Sequence, residues 1–290
     1  MEPMTVLAGI AAGLGAEACR RSETERIVVT EHVIALPMWP SALDGFRVIV
    51  ASDMHVHPNA KAPGRRETRL GRILGSLDGD ILVVPGDAAN TRDAARIAAG
   101  IIEMARPRYG TFITFGNGEH KRGDETSPIA RELSRAGRVL VNESVVLPVG
   151  GEGMAILGVD DPSEDRDRLD LAGRGLSGDL PTILLAHSPE IVTRLHRRPV
   201  DLVICGHTHG GQVCPPNGQA LWTQTQTLER SSLGYGTFGP RDFARFTSRD
   251  LQRTRMFVSR GVGTAKMAVR VFCPPEVAVL TLRREAGAGT

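Results

Sequence analysis

Asp53, His55, Asp87, Asn117, His187, His207 and His209 are the residues of this chain whose types and spacing point to chemistry. They stand in five short clusters: Asp53-x-His55, Gly86-Asp87, Gly116-Asn117, His187, and Gly206-His207-x-His209. Every donor is oxygen or nitrogen and none is sulfur. That mix suits a divalent transition ion such as Mn²⁺, Fe or Zn²⁺. The set exceeds what one tetrahedral ion takes, and it serves two ions if one carboxylate is shared. Two metals about 3.5–4 Å apart form a clamp for phosphoryl hydrolysis. They acidify a bridging water, bind phosphate oxygens as Lewis acids and orient in-line attack. Asp53 and Asp87 would offset part of the charge of such a pair.

Each cluster follows an apolar run. Residues 46–51 lead to Asp53, 81–84 to Asp87, 111–115 to Asn117, 182–186 to His187 and 202–205 to His207. The runs lack period-2 alternation, as expected of strands buried on both faces. Helical spacing lies between them over 65–77, 94–105 and 127–136, the last with Ser127 as N-cap and Pro128 in first position. A further helix opens at Ser188 and Pro189. Residues 145–149 and 154–159 flank Gly150-Gly151 and read as a hairpin. Residues 256–259, 269–273 and 277–282 close the chain as β segments. Strands interleaved with helices predict an α/β layered domain. The β-rich second half predicts two packed sheets with helices outside. Function in open α/β sheets collects at the carboxyl ends of strands.

Composition narrows the partners. The 290 residues include 35 Lys and Arg against 33 Asp and Glu, a formal net charge of +2. That charge gives no strong electrostatic footprint for nucleic acid. Two Trp, two Tyr and eight Phe offer few rings for stacking single-stranded bases. A 41% hydrophobic content with so small a net charge argues against a disordered chain. Cys19, Cys205, Cys214 and Cys273 contain no CxxC pair, so neither a thiolate zinc site nor a disulfide framework is indicated. Residues 4–16 are small and apolar but fall short of the roughly 20 needed to span a bilayer. They also lack the basic start of a secretory signal, although Ala16-Glu17-Ala18 imitates a cleavage site.

In order, the motifs read DMH (53–55), GDAAN (86–90), GNGEH (116–120), AHSPE (186–190) and GHTHGGQ (206–212). This series resembles the calcineurin-like metallophosphoesterases. The stretches GHTHGGQVCPP and MFVSRGVGTAKMAVRVFCPPEVAVLTL resemble the YkuE/YaeI-like bacterial phosphodiesterase branch. The likeness runs from residue 26 to 283. It implies a four-layer α/β/β/α sandwich with a dinuclear site at its top, formed by one domain over 26–285 behind a tail or anchor remnant over 1–25. It implies that Asp53, His55, Asp87 and His209 hold one metal, and that Asp87, Asn117, His187 and His207 hold the other, with Asp87 bridging. It also implies phosphoester hydrolysis by a metal-bridging hydroxide, with phosphodiesters or nucleotide- or lipid-linked esters as substrates. Members of the branch often carry an N-terminal membrane anchor. The expectation is a cytoplasmic protein, and the branch's anchor makes peripheral membrane association or export through the N-terminal segment the alternative.

One position departs from the family pattern. The third motif usually reads Gly-Asn-His, and that His stabilises the transition state or protonates the leaving oxygen. Here the position is Gly118, with His120 two residues on. Either His120 reaches back to the leaving group as the catalytic acid, or it only packs and hydrogen-bonds. Lys61, Arg65 and Arg66 read as a solvated charged face, and His57 as loop rim. Lys121 and Arg122, beside the third motif, have a better claim on phosphate. A non-catalytic metal-binding scaffold on the same fold is the alternative to an enzyme, and Gly118 alone favours it. A nuclease is a third reading, weakened by the low charge.

Overall fold

The apolar runs become strands because β-branched residues pack well on a pleated surface and each run is covered on both sides. A computed structural model describes residues 23–285, apart from 198–199, 227, 229–232, 245 and 248–250. Residues 4–16, expected as an apolar tail or anchor remnant, lie outside the described residues.

The strands are β1 (Val28–Leu36), β2 (Phe46–Val50), β3 (Ile81–Pro85), β4 (Thr111–Thr114), β5 (Arg138–Val139) and β6 (Glu143–Val149). They continue with β7 (Glu152–Gly158), β8 (Thr182–Leu185), β9 (Leu202–Cys205), β10 (Gly236–Phe238), β11 (Arg255–Val258) and β12 (Glu276–Arg284). The first sheet has the order β1-β12-β2-β3-β4-β5 and the second β10-β11-β9-β8-β7-β6. The helices relevant to the site are α1 (Arg65–Ser76), α2 (Arg92–Ile102), α3 (Asn117–His120) and α4 (Thr126–Leu133).

Three apolar interfaces define four layers. Leu70 and Leu74 of α1, Ala94, Ala98 and Ile102 of α2 and Ile129 and Leu133 of α4 cover Ile49, Leu82, Val84 and Ile113 on the outer face of the first sheet. Val48, Val50, Ile81 and Val83 meet Ile156, Ile183, Leu185, Ile204 and Phe257 between the sheets. Ile191, Val192 and Leu195, from a 3-10 segment over Pro189–Arg197, cover Leu157, Leu184 and Val203 on the far side. Each fully buried Val, Leu, Ile or Phe side chain among these contributes roughly 1.5–3 kcal/mol, and each Ala less. The architecture is the expected α/β/β/α sandwich. Strands β2, β3 and β4 run parallel, as do β8 and β9. Their carboxyl ends therefore collect along one edge of each sheet.

The structure corrects several local expectations. Strand β1 is not among the expected strands, because Thr30, Glu31 and His32 break the apolar run of this edge strand. Residues 269–273 form no strand; only the bridge Val213↔Val271 remains there. Helix α4 begins at Thr126 with Glu125 as N-cap, so Ser127 and Pro128 sit inside its first turn.

Candidate metal centre

Three of the five loops, those after β2, β3 and β9, turn sharply enough to place side chains in unusual backbone geometry. Asp53 (φ 51°), His55 (φ 42°), Asp87 (φ 53°), His207 (φ 67°) and His209 (φ 51°) all have positive φ. Non-glycine residues seldom adopt this region, Asp and His more readily than most, and each instance costs about 1–3 kcal/mol that the surrounding structure must offset. Such strain at five of the seven singled-out residues marks a functional site.

The side chains converge. Nε2 of His55 and Nε2 of His209 lie 3.2 Å apart with stacked rings. Nδ1 of His207 and Nε2 of His187 lie 3.1 Å apart. Asp87 stands between the two pairs, with Oδ2 3.3 Å from His55 and Oδ1 3.4 Å from His187. Asp53 Oδ1 lies 3.4 Å from His209 Nε2. Two compact donor groups result, Asp53–His55–His209 and Asp53–Asp87–His187. Asp53 belongs to both. Asn117 opens α3 at the same edge, and its side chain makes no hydrogen bond with any described residue.

The donor set fits divalent ions. Two nitrogens each about 2.0–2.1 Å from one ion lie roughly 3–3.4 Å apart, the spacing of both histidine pairs. His207 would face such an ion with Nδ1, and its buried Nε2 has no hydrogen-bond partner. Burial pushes His55 down to about 4 and His207 to about 3, and lowers His209 well below the usual imidazole range. These rings are therefore neutral electron-pair donors at neutral pH. Burial also disfavours charge on His187, yet the carboxylates of Asp87, Asp53 and Asp161 hold it up at about 9. Burial raises Asp53 to about 6. Asp87 is equally buried, but His187 and His55 hold it at about 2.

Backbone closeness completes the cradle. A Cβ on Gly206 would stand 2.2 Å from Asp53 Oδ2, so only glycine lets this loop approach the carboxylate. The amide of Gly118 donates to Asp87 Oδ1 at 2.6 Å, and a Cβ there would meet the same oxygen at 2.7 Å.

Three contributors were not legible in the motifs. Glu119 is fully buried and accepts from the amides of Asp87 (3.0 Å), Gly116 (2.9 Å) and Ala89 (3.1 Å), tying the second and third motif loops together. Burial raises its carboxyl to about 7 against those donors. Arg270 is fully buried behind His209. Arg66 was expected on a solvated face, but it donates to the carbonyls of Met54 and His55. A glutamate after Gly-Asn-x and a lone Arg in an apolar stretch were the only sequence signals for the first two.

His120 faces Asp160, with Nε2 2.7 Å from Oδ1, and its ring edge meets Phe115. The Asp160 hydrogen bond raises its pKa. Lys61, Arg65, His57, Lys121 and Arg122 are exposed. Gln212 stitches the following loop, donating to the carbonyls of Met267 (2.8 Å) and Val269 (3.0 Å) and accepting from the amide of Ala265 (2.7 Å).

A family profile described as calcineurin-like phosphoesterase matches residues 46–211, more than half of the chain and all five clusters. The chain belongs to the calcineurin-like phosphoesterases. Within this family it is 25% identical over 280 residues to the uncharacterized metallophosphoesterase YkuE of Bacillus subtilis, covering 94% of this chain and 92% of that one. It is 30% identical over 174 residues to the phosphodiesterase YaeI of Escherichia coli, covering 59% and 58% respectively. It is also 30% identical over 207 residues to a transmembrane protein with metallophosphoesterase domain of Bos taurus, covering 65% of this chain but 46% of that protein. Among the described residues no helix is long and apolar enough to cross a membrane.

Proposed function

We propose that this calcineurin-like phosphoesterase hydrolyses phosphodiesters with two divalent transition ions, Mn, Fe or Zn. The observation that carries the reading is the pair of facing histidine couples, His55/His209 and His187/His207, on either side of Asp53 and Asp87. Asp53, His55, Asp87 and His209 would hold one ion, and Asp87, Asn117, His187 and His207 the other. Metals bound there supply Lewis acidity toward phosphoryl oxygens and an acidified water as nucleophile. Asp53 and Asp87 would offset part of the positive charge of the two ions, and Glu119 keeps the loops bearing Asp87 and Asn117 in register.

His120 is the candidate for delivering a proton to the leaving alcohol. Its bond to Asp160 favours the protonated ring, and general acid help of this kind contributes about 10²–10⁴-fold. Its replacement, His120→Ala, should then slow an alkyl diester far more than an activated aryl diester. Equal losses on both, or no loss on either, would leave His120 as a packing residue. The proposed substrate is a small phosphoester, a phosphodiester by the likeness to the phosphodiesterase YaeI, with nucleotide- or lipid-linked esters as the classes to screen first. Peripheral membrane association through the N-terminus belongs to the same reading.

The experiment is metal analysis of the purified protein together with hydrolysis of bis(p-nitrophenyl) phosphate, with and without added Mn²⁺. Metal-dependent turnover is expected. Bound metal with no turnover of any activated ester would support the scaffold reading instead.

A further inference from the structure

Arg66 is anchored to the first motif by a single nitrogen. Nη2 donates to the carbonyls of Met54 (3.0 Å) and His55 (3.2 Å) and to Glu67 Oε1 (2.7 Å). Nε and Nη1 make no hydrogen bond with any described residue. The side chain is 20% exposed. It lines a cavity of about 270 Å³ together with His55, Asp87, Asn90, Gly118 and Thr264. The side-chain amide oxygen of Asn90 likewise has no partner among the described residues.

This arrangement is a preorganised donor. Backbone carbonyls and Glu67 hold the guanidinium plane, so much of the rotamer entropy of the long side chain is spent in folding. The remaining N–H groups are left for a ligand, and Arg66 lines the cavity onto which His55 and Asp87 open as well as a neighbouring one bordered by Arg65 and Glu67. A planar guanidinium fork matches the oxygens of a phosphoryl group. The same cavity is bounded by Gly118, which has no side chain to offer charge.

We infer that Arg66 binds a non-bridging phosphoryl oxygen of the substrate and stabilises its developing charge, the part that the glycine at position 118 leaves unfilled. The inference rests on the hydrolase reading but adds a substrate contact outside the seven metal-ligand candidates. The anchor to His55 gives Arg66 a structural duty too, so the test must separate the two.

Arg66→Ala and Arg66→Lys are compared with wild type as metal-loaded proteins. Three quantities are measured: kcat/KM on bis(p-nitrophenyl) phosphate, calorimetric affinity for inorganic phosphate, and bound metal per chain. Removal of one preorganised donor typically lowers kcat about 10²–10³-fold. A drop of about 10²-fold is therefore expected for the alanine variant, with weaker phosphate binding, unchanged metal content and partial recovery by added guanidinium. The lysine variant keeps charge and stem but loses the fork, so it should recover only part of both readouts. Phosphate affinity equal to wild type in either variant overturns the inference. So does a loss of activity matched by loss of metal, which would mean that Arg66 only positions His55. If the alanine variant fails to fold, the lysine variant decides by the same readouts. If wild type turns over no ester at all, the hydrolase reading fails, while the phosphate affinities still decide on Arg66.

Discussion

The guanidinium of Arg270 lies 3.4 Å from Nδ1 of His209, and among the described residues no carboxylate pairs with it. It donates instead to the carbonyls of His209 (3.3 Å), Arg260 (2.7 Å), Gly261 (3.2 Å), Gly263 (2.6 Å) and Cys273 (3.1 Å). The amide of Gly263 in turn donates to the carbonyl of Asp53 at 2.6 Å. One buried side chain thus joins the loop of His209 to the loop of Asp53. Replacement by methionine leaves several buried carbonyls unpaired, each worth about 1–3 kcal/mol. A loss of about 3 kcal/mol or more is expected for Arg270→Met. Thermal denaturation and metal titration check this, and an unchanged Tm would show that water or a relaxed loop replaces the guanidinium.

Gly118 lets the backbone approach Asp87 more closely than a residue with a side chain would. Any Cβ there stands 2.7 Å from Asp87 Oδ1 and 2.9 Å from its Cγ, and a carboxylate so close to the backbone has little room to yield. Gly118→Ala should therefore displace Asp87, lower metal occupancy and reduce hydrolysis at least about 10-fold, while the remote core keeps Tm nearly constant. Gly118→His meets the same conflict and should not raise activity. Metal content and kcat on one activated diester decide; full occupancy in the alanine variant would contradict the proposed crowding.

His120 and Asp160 predict a pH dependence with a definite sign. The hydrogen bond to Asp160 raises the pKa of His120 in the folded protein. The stabilisation is then complete below the unfolded value of about 6.5 and is lost as pH rises through the raised folded value. Asp160→Asn removes that contribution, so the Tm difference between wild type and variant should be largest at mildly acidic pH and shrink on the alkaline side. Melting curves between about pH 5.5 and 9 test it, and a difference that grows with pH would refute the assignment.

His187 makes metal binding a proton-releasing step. Its ring holds a proton to about pH 9 between Asp87, Asp53 and Asp161, and a ligating imidazole must lose it. Calorimetric titration of Mn²⁺ or Zn²⁺ near neutral pH, repeated in buffers of different ionisation enthalpy, should show close to one proton released per chain. Chelation should lower Tm, because ions that bind only the folded state add stability by mass action. Buffer-independent heats would show that His187 carries no proton to release before the metal binds.

Much of the fold is readable because its signals are local. Residues 202–205 and β9 coincide, and the strands before Asp53, Asp87, Asn117 and His187 differ from expectation by one residue at most. Strand β1 is not readable in this way, since half of its side chains face solvent and Thr30, Glu31 and His32 interrupt the apolar pattern. Residues 269–273 mislead in the opposite direction. Val269, Val271 and Cys273 alternate as a strand would, but Arg270 between them is drawn inward to five carbonyls, and the backbone follows the guanidinium rather than a ladder.

The order of residues by itself determined the donor types, their placement after apolar runs and the α/β class, because side-chain chemistry and strand propensity are properties of short segments. Only the tertiary structure decided which donors face one another across 3.1–3.2 Å, and that Asp53, as well as Asp87, sits between the two groups. It alone turned Arg66 from a surface charge into a cavity wall and Glu119 into a tie between loops. The ties made by Glu119 join residues 30 or more positions apart, and such relations depend on how two sheets meet, which no local pattern encodes.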